Sequence, residues 1–228
     1  MSNLCIIPAR GGSKRIPKKN IKPFLGKPII AYSIEAAINS NLFSEIMVST
    51  DNEKIAQIAI KYGAKVPFFR THENSSDFAT TFDVIEEVIG AYRKENIEFD
   101  NACCLYPCAP FVNSGKLEEA YEEFKKNKRD VVLPVIPYSF PIQRAITMRS
   151  NKAKMISEEF LSTRSQDLEQ SYHDSGQFYF FNIKKVIRNK SLLTDNTGAI
   201  IISEMEGQDI DNEMDWKLAE LKYQLINK

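Results

Sequence analysis

Acidic residues are missing from the first 34 positions of this chain, where seven Lys or Arg side chains stand before Glu35. The formal net charge of all 228 residues is zero, so the remainder carries seven excess negative charges. A general nucleic-acid surface needs a basic excess that this neutral chain does not have. Histidine is scarce, with two residues, and the four cysteines (Cys5, Cys103, Cys104, Cys108) follow no zinc-ligand or disulfide spacing. Adjacent Cys103 and Cys104, in an apolar run, read as half-buried thiols in a reducing compartment. No apolar run approaches the ~20 residues of a membrane span. The start, MSNLCIIPARGGSK, lacks the n-region and long h-region of a secretory signal. One cytoplasmic domain over residues 1–228 is expected, partnered by neither membrane nor nucleic acid. Neither G-x-x-x-x-G-K-[ST] nor G-x-G-x-x-G occurs, so the usual phosphate-loop and dinucleotide signatures are absent too.

What is present is IIPARGGSKRIPKKN (Ile6 to Asn20), an apolar strand end followed by two glycines and five basic side chains. Gly11 and Gly12 can bring backbone N–H groups close to an anion. Arg10, Lys14 and Lys19 can add charge-assisted contacts, and Arg can grip two phosphate oxygens at once. A solvated basic loop and a phosphate cradle both fit the charge; the lack of nearby acids favours the cradle. Far along the chain, EMEGQDIDNEMD (Glu204 to Asp215) holds six acids and no base. Asp209 and Asp211 are two apart, so extended backbone points both to one side, where they can share one Mg²⁺. Equally, Asp211 can serve as a favourable charge at the start of the last helix. Bases for phosphate and acids for a divalent cation suit a small anionic ligand that arrives with a metal.

Between these ends, short β-rich runs alternate with helical patterns. Strands are expected at Leu4–Pro8, Glu45–Ser49, Lys65–Phe69, Ala102–Tyr106, Val131–Val135, Gln177–Phe181 and Ala199–Ile202. Helices are expected near Pro28–Ser40, Glu53–Tyr62, Thr80–Glu95, Ser114–Asn127 and Glu213–Ile226. That alternation predicts an α/β fold with a largely parallel sheet and helices on both faces. Ligands of such sheets bind beyond the carboxyl ends of the strands, here the loops after Ile7, Ser49 and Tyr106. In VSTDNEKIA, Asp51 or Asn52 reads as a helix cap or as part of a nucleotide rim; SSDFATTFD offers Asp77 or Thr80 the same choice. Residues 138–173 break the rhythm, with weak periodicity and scattered charge. An excursion of that length is expected to be functional, and an arm crossing to a partner subunit is the reading here.

In order along the chain, ARGGSKRIPKKN, VSTD, SSDFATT, LYPCAPF, the R-x-Q of TRSQD, HDSGQFYF and QDIDNEMDW resemble the cytidylyltransferases of the CMP-sialic acid synthetase family. The resemblance implies a Rossmann-like nucleotide-diphospho-sugar transferase fold and a homodimer whose arms complete the partner's sugar site. It also implies Mg²⁺-dependent transfer of CMP from CTP to the anomeric hydroxyl of a nonulosonic acid. By position, Ala9, Arg10, Gly11, Gly12, Ser13, Lys14, Lys19 and Asn20, with Asp77 and Thr81, are then expected around the nucleotide. Arg10 and Lys19 with Asp209 and Asp211 would carry catalysis, the two aspartates holding the metal. Tyr106, Arg164, Gln166, Gln177, Phe178 and Tyr179 would meet the sugar or, for Arg164 and Gln166, a neighbouring subunit's ligands.

The chain departs from the sialic-acid pattern where that pattern reads LLQPTSP: here CLYPCAPF puts Tyr106 in place of a glutamine. Asp174-Ser175-Gly176-Gln177 likewise replaces P-N-G-A. YPCAPF and DSGQFYF are closest to the branch that activates pseudaminic acid. Legionaminic acid, N-acetylneuraminic acid and KDO are the alternative sugars, and a non-catalytic nucleotide-binding module is the alternative class.

Overall fold

The first strand of the computed structural model, which describes residues 2–227, sets the pattern for the whole sheet. β1 (Asn3–Pro8) sends Leu4 and Ile6 into one core cluster and Cys5 and Ile7 into another. A strand apolar on both faces needs cover on both. A two-residue ribbon pair, β2 (Pro23–Phe24) and β3 (Lys27–Pro28), leads into α1 (Ile29–Asn39). β4 (Glu45–Ser49), α2 (Glu53–Lys61), α3 (Thr81–Lys94), β5 (Asn101–Leu105), α4 (Ser114–Lys126) and β6 (Val131–Pro137) follow. A hairpin of β7 (Ile146–Arg149) and β8 (Lys152–Met155) comes next. β9 (Tyr172–Asp174), β10 (Phe178–Asn182), α5 (Ile183–Asn189), β11 (Thr197–Ile201) and α6 (Glu213–Ile226) complete the order.

The main sheet runs β11-β6-β10-β5-β1-β4, with β9 paired to β6. β4, β1 and β5 are mutually parallel, and β6 and β11 run the same way. β10 is antiparallel to both β5 and β6, and β9 is antiparallel to β6. The result is the expected α/β sheet, mostly parallel with reversed strands inserted. Ile30 and Ile34 of α1, Ile55 of α2 and Leu117 of α4 cover one face. Ile85, Val88 and Ile89 of α3 with Ile183 and Val186 of α5 cover the other. Cys103 and Cys104 are fully buried, one toward each face, so neither is the half-buried thiol expected.

Other expectations need correction. Lys65–Phe69 forms no strand: a single bridge, Met47 to Lys65, is all that pairs. Pro67 has no N–H to give a ladder, and Phe68, partly buried, packs edge-on against Tyr92. α5 was not anticipated. The 138–173 excursion does not project throughout, because Tyr172–Asp174 return to the main sheet as β9. No described helix is long and apolar enough to cross a membrane.

A third apolar cluster positions the site. Ile16 of the basic loop, Phe24, Ile210 of the acidic segment and Trp216 of α6 are all buried in it. Burying two side chains the size of Ile16 and Ile210 contributes about 1.5–3 kcal/mol each. Two segments 194 positions apart are thereby pinned side by side, each presenting its charged neighbours outward.

Candidate active site

β1, β4 and β5 end at the same edge of the sheet, and β10, running the other way, begins there. A cleft of about 400 Å³ opens at that edge, lined by the basic loop, the 208–211 segment and a pair of tyrosines. Asn20 organises the loop from below. Its side chain is buried, donates from Nδ2 to the Arg10 carbonyl at 2.9 Å and accepts the Cys108 thiol at 3.3 Å. Burial pushes the Cys108 pKa up to about 12, so a neutral thiol makes that donation. The Gly11 N–H donates to Asp51 at 2.7 Å. A Cβ on Gly11 would come within 3.0 Å of Asn52, the cap of α2, so the glycine serves loop-to-helix packing. A Cβ on Gly12 would meet nothing within 4 Å, which leaves open space beside its backbone.

Four of the loop's five cations, Arg10, Lys14, Arg15 and Lys19, have an acidic partner from elsewhere. Arg10 lies 2.8 Å from Asp77 and donates to the Ser76 carbonyl at 2.8 Å, while Lys14 takes the other Asp77 oxygen. The Lys14 hydrogen bond and charge, with help from Arg10, hold the Asp77 carboxyl below the usual carboxylate range. Arg15 meets Asp211 at 2.8 Å, and Lys19 donates to the Ile210 carbonyl at 2.7 Å with Asp211 at 3.8 Å. Asp215 fixes the acidic segment by accepting the N–H groups of Asp211 (2.9 Å) and Asn212 (3.0 Å) in a capping box at α6.

Asp209 is the exception. It lines the cleft with its side chain exposed and makes no ion pair among the described residues. Burial, then the Asp211 charge, raise its pKa above the usual carboxylate value. An uncompensated carboxylate beside a second one is a donor set suited to a hard divalent cation. Among the described residues no group of three or more His, Cys, Asp or Glu could hold a metal ion.

The far wall is aromatic. Tyr106, following β5, meets Tyr179 of β10 edge-on with ring centroids 6.1 Å apart. The Tyr106 hydroxyl bonds Thr81, the first residue of α3, at 2.8 Å, and Tyr179 donates to Asp174. Burial pushes the Tyr106 pKa up to about 12. A basic cradle, two facing carboxylates and a polar aromatic wall thus share one opening.

Residues 4–213 match the family described as Cytidylyltransferase. The chain belongs to the cytidylyltransferase family. It is 42% identical over 226 residues to pseudaminic acid cytidylyltransferase of Campylobacter jejuni, covering 99% of this chain and 97% of that one. It is 34% identical to CMP-N,N'-diacetyllegionaminic acid synthase of Legionella pneumophila, over 96% and 95% of the two chains. The fold is similar to that of CMP:2-keto-3-deoxy-manno-octonic acid synthetase complexed with CTP. There the TM-score is 0.71 at 18% identity, over 100% of this chain and 99% of that one.

In this cytidylyltransferase the residues expected at the site separate into three groups. Arg10, Ser13, Lys14, Lys19, Asn20, Tyr106, Tyr179, Asp209 and Asp211 line the cleft together. Asp77 and Thr81 reach it through Arg10, Lys14 and Tyr106. Others stand apart. The Ala9 methyl is buried in the core, leaving only its backbone at this edge. Phe178 is fully buried with Phe180 on the α4 face, because strand alternation turns it away from Tyr179; it is no sugar wall. Gln177 is buried as well and donates to the Glu206 carbonyl at 2.6 Å, so it braces the acidic segment. Arg164 and Gln166 are exposed on the excursion, Arg164 paired with Asp167 at 2.7 Å, and neither lines this chain's own cleft. Sequence reasoning gave Arg15 and Cys108 no role at the site, and met Asp174 only as a departure from the sialic-acid pattern. The signal for Arg15 was its neighbour: Ile16, a lone apolar residue within the basic loop, had to be buried, which fixes the side to which Arg15 turns.

Proposed function

We propose that the chain transfers CMP from CTP to the anomeric hydroxyl of pseudaminic acid, giving CMP-pseudaminic acid and pyrophosphate. The observation that carries this reading is the apposition of Arg10, Lys14 and Lys19 to Asp209 and Asp211 across one cleft. Family membership supplies the cytidylyl chemistry, and 42% identity over nearly the full length favours pseudaminic acid among the sugars. In the reaction the sugar hydroxyl attacks the α-phosphate and pyrophosphate leaves in line. Negative charge grows on the phosphate oxygens, where Arg10, Lys14 and Lys19 would stabilise it with charge-assisted hydrogen bonds once phosphate takes the place of Asp77. Mg²⁺ held by Asp209 and Asp211, once bound, would neutralise phosphate charge and acidify a bound hydroxyl. The enzyme is read as cytoplasmic, in keeping with four free thiols.

The excursion is read as the dimer arm. Its support is the exposure of Ile146 and Met148 on the hairpin and of Ile156 and Leu161 just after it, all near 60% or more. Large apolar side chains exposed together mark an interaction surface.

A pyrophosphate-release assay with CTP, Mg²⁺ and purified sugars tests the function. Fastest release is expected with pseudaminic acid. Preference for legionaminic or N-acetylneuraminic acid would reassign the sugar, and no release with any of them would leave a nucleotide-binding module.

A further inference from the structure

We propose that Asp174 is a positioning residue that makes Tyr179 an obligate hydrogen-bond acceptor in the cleft, so that this wall reads a donor on the substrate. The inference rests on the function proposed above and deepens it. Asp174 is the last residue of β9, held in register by its pairing with Val135 of β6. One carboxylate oxygen accepts the Gly176 N–H at 2.8 Å, and the other accepts the Tyr179 hydroxyl. Gly176 sits at φ +65° and lines the cleft, so the turn that carries the carboxylate also shapes the opening.

The consequence is one of proton inventory. A phenol has one O–H to give and lone pairs to receive with. With its proton committed to Asp174, Tyr179 can only accept from a substrate. Burial and the adjacent carboxylate both raise the Tyr179 pKa, which keeps that proton in place. Tyr106 differs, since its bond with Thr81 can run either way and fixes no polarity. Ser175, between Asp174 and Gly176, is buried and its hydroxyl has no partner among the described residues, so the turn holds more polar capacity than the chain itself uses. Among sugar substituents, the amide N–H of an acylamino group is the donor that such a fixed acceptor suits. A site built to bond one polar group discriminates strongly against an analogue that lacks it.

Asp174→Asn provides the test. If its amide oxygen keeps the Gly176 N–H, its amide nitrogen faces the phenol and donates to it. The turn is then retained while Tyr179 is reversed from acceptor to donor. Steady-state kinetics with CTP and pseudaminic acid should show a sugar KM raised about three- to tenfold, the worth of one hydrogen bond. The KM for CTP and the thermal midpoint should stay at wild-type values. Tyr179→Phe should raise the sugar KM similarly, and the double variant should be no worse than Tyr179→Phe alone, since the two act through one bond. An unchanged sugar KM in Asp174→Asn, or effects that add in the double variant, would overturn the inference while the wild-type enzyme still turns over. A wild-type chain that releases no pyrophosphate with any sugar would overturn it together with the function.

Discussion

Lys19 does two things with one ammonium group, and they can be separated. It donates to the Ile210 carbonyl and lies 3.8 Å from Asp211, so it braces the acidic segment before any phosphate arrives. Lys19→Ala should therefore raise the KM for CTP about tenfold, the scale of a charge-assisted hydrogen bond. An unchanged CTP dependence would remove Lys19 from the cradle. Asp209 makes the opposite case. It is exposed in the cleft with no ion-pair partner among the described residues. Desolvation, then the neighbouring Asp211 charge, raise its pKa, and a bound cation would relieve that repulsion. Asp209→Asn should lose at least ~10² in turnover, as removal of a transition-state contact does. The free variant should unfold at a temperature no lower than wild type. A variant that was both active and destabilised would make Asp209 a structural carboxylate.

The elements decide how the loops meet. Asp77 sits in the loop before α3 and occupies Arg10 and Lys14, the cations assigned to phosphate. An incoming triphosphate must displace it. Exposed ion pairs are weak and screened by solvent, so Asp77→Asn should tighten inhibition by added pyrophosphate by about two- to fivefold. Weaker inhibition in a product-inhibition titration would mean that Asp77 assists the nucleotide. The helix behind that loop begins with a capping box in which Thr80 and Asp83 satisfy each other's backbone groups. Thr80→Ala should cost about 1 kcal/mol in a urea titration at neutral pH. Bonds from the Thr80 side chain and N–H hold the Asp83 carboxyl below its ordinary value. A depressed carboxyl stabilises the fold above its unfolded pKa of about 3.9 and loses that contribution as pH falls through the folded value. The gap between variant and wild type should accordingly narrow in acid below about pH 4. The same capping logic shows what was legible at this scale. Thr80, Asn113 and Asn212 announce their helices in sequence. Asn182 announces α5 as well, but seven residues give too little periodicity to detect, and the strand before it ends at the cap itself. Direction within the sheet was not legible at all: nothing in FYFFN distinguishes a reversed β10 from a parallel strand, since apolar faces look alike either way.

At the scale of the molecule, the two charged ends of the chain could be paired from sequence because each needs the other. The pin that joins them, Ile16 with Ile210, could not, since a contact over that separation leaves no local trace. Nor could single residues show which chain's cleft the excursion serves. Arg164 and Gln166 lie on an exposed hairpin-bearing segment and do not reach the cleft of their own chain. In a two-fold dimer each arm would serve the other subunit, and that geometry has a consequence no monomer shares. Asp209→Asn disables a cleft but leaves its arm intact; Arg164→Ala disables an arm but leaves its cleft intact. Each variant alone should be nearly inactive. Co-expressed with separable tags, random pairing makes about half the dimers mixed, each with one complete cleft, and roughly a quarter of wild-type pyrophosphate release should return. If Arg164 served its own chain, every cleft in the mixture would carry one defect and nothing would return. Full activity in Arg164→Ala by itself would show that the residue takes no part in either cleft.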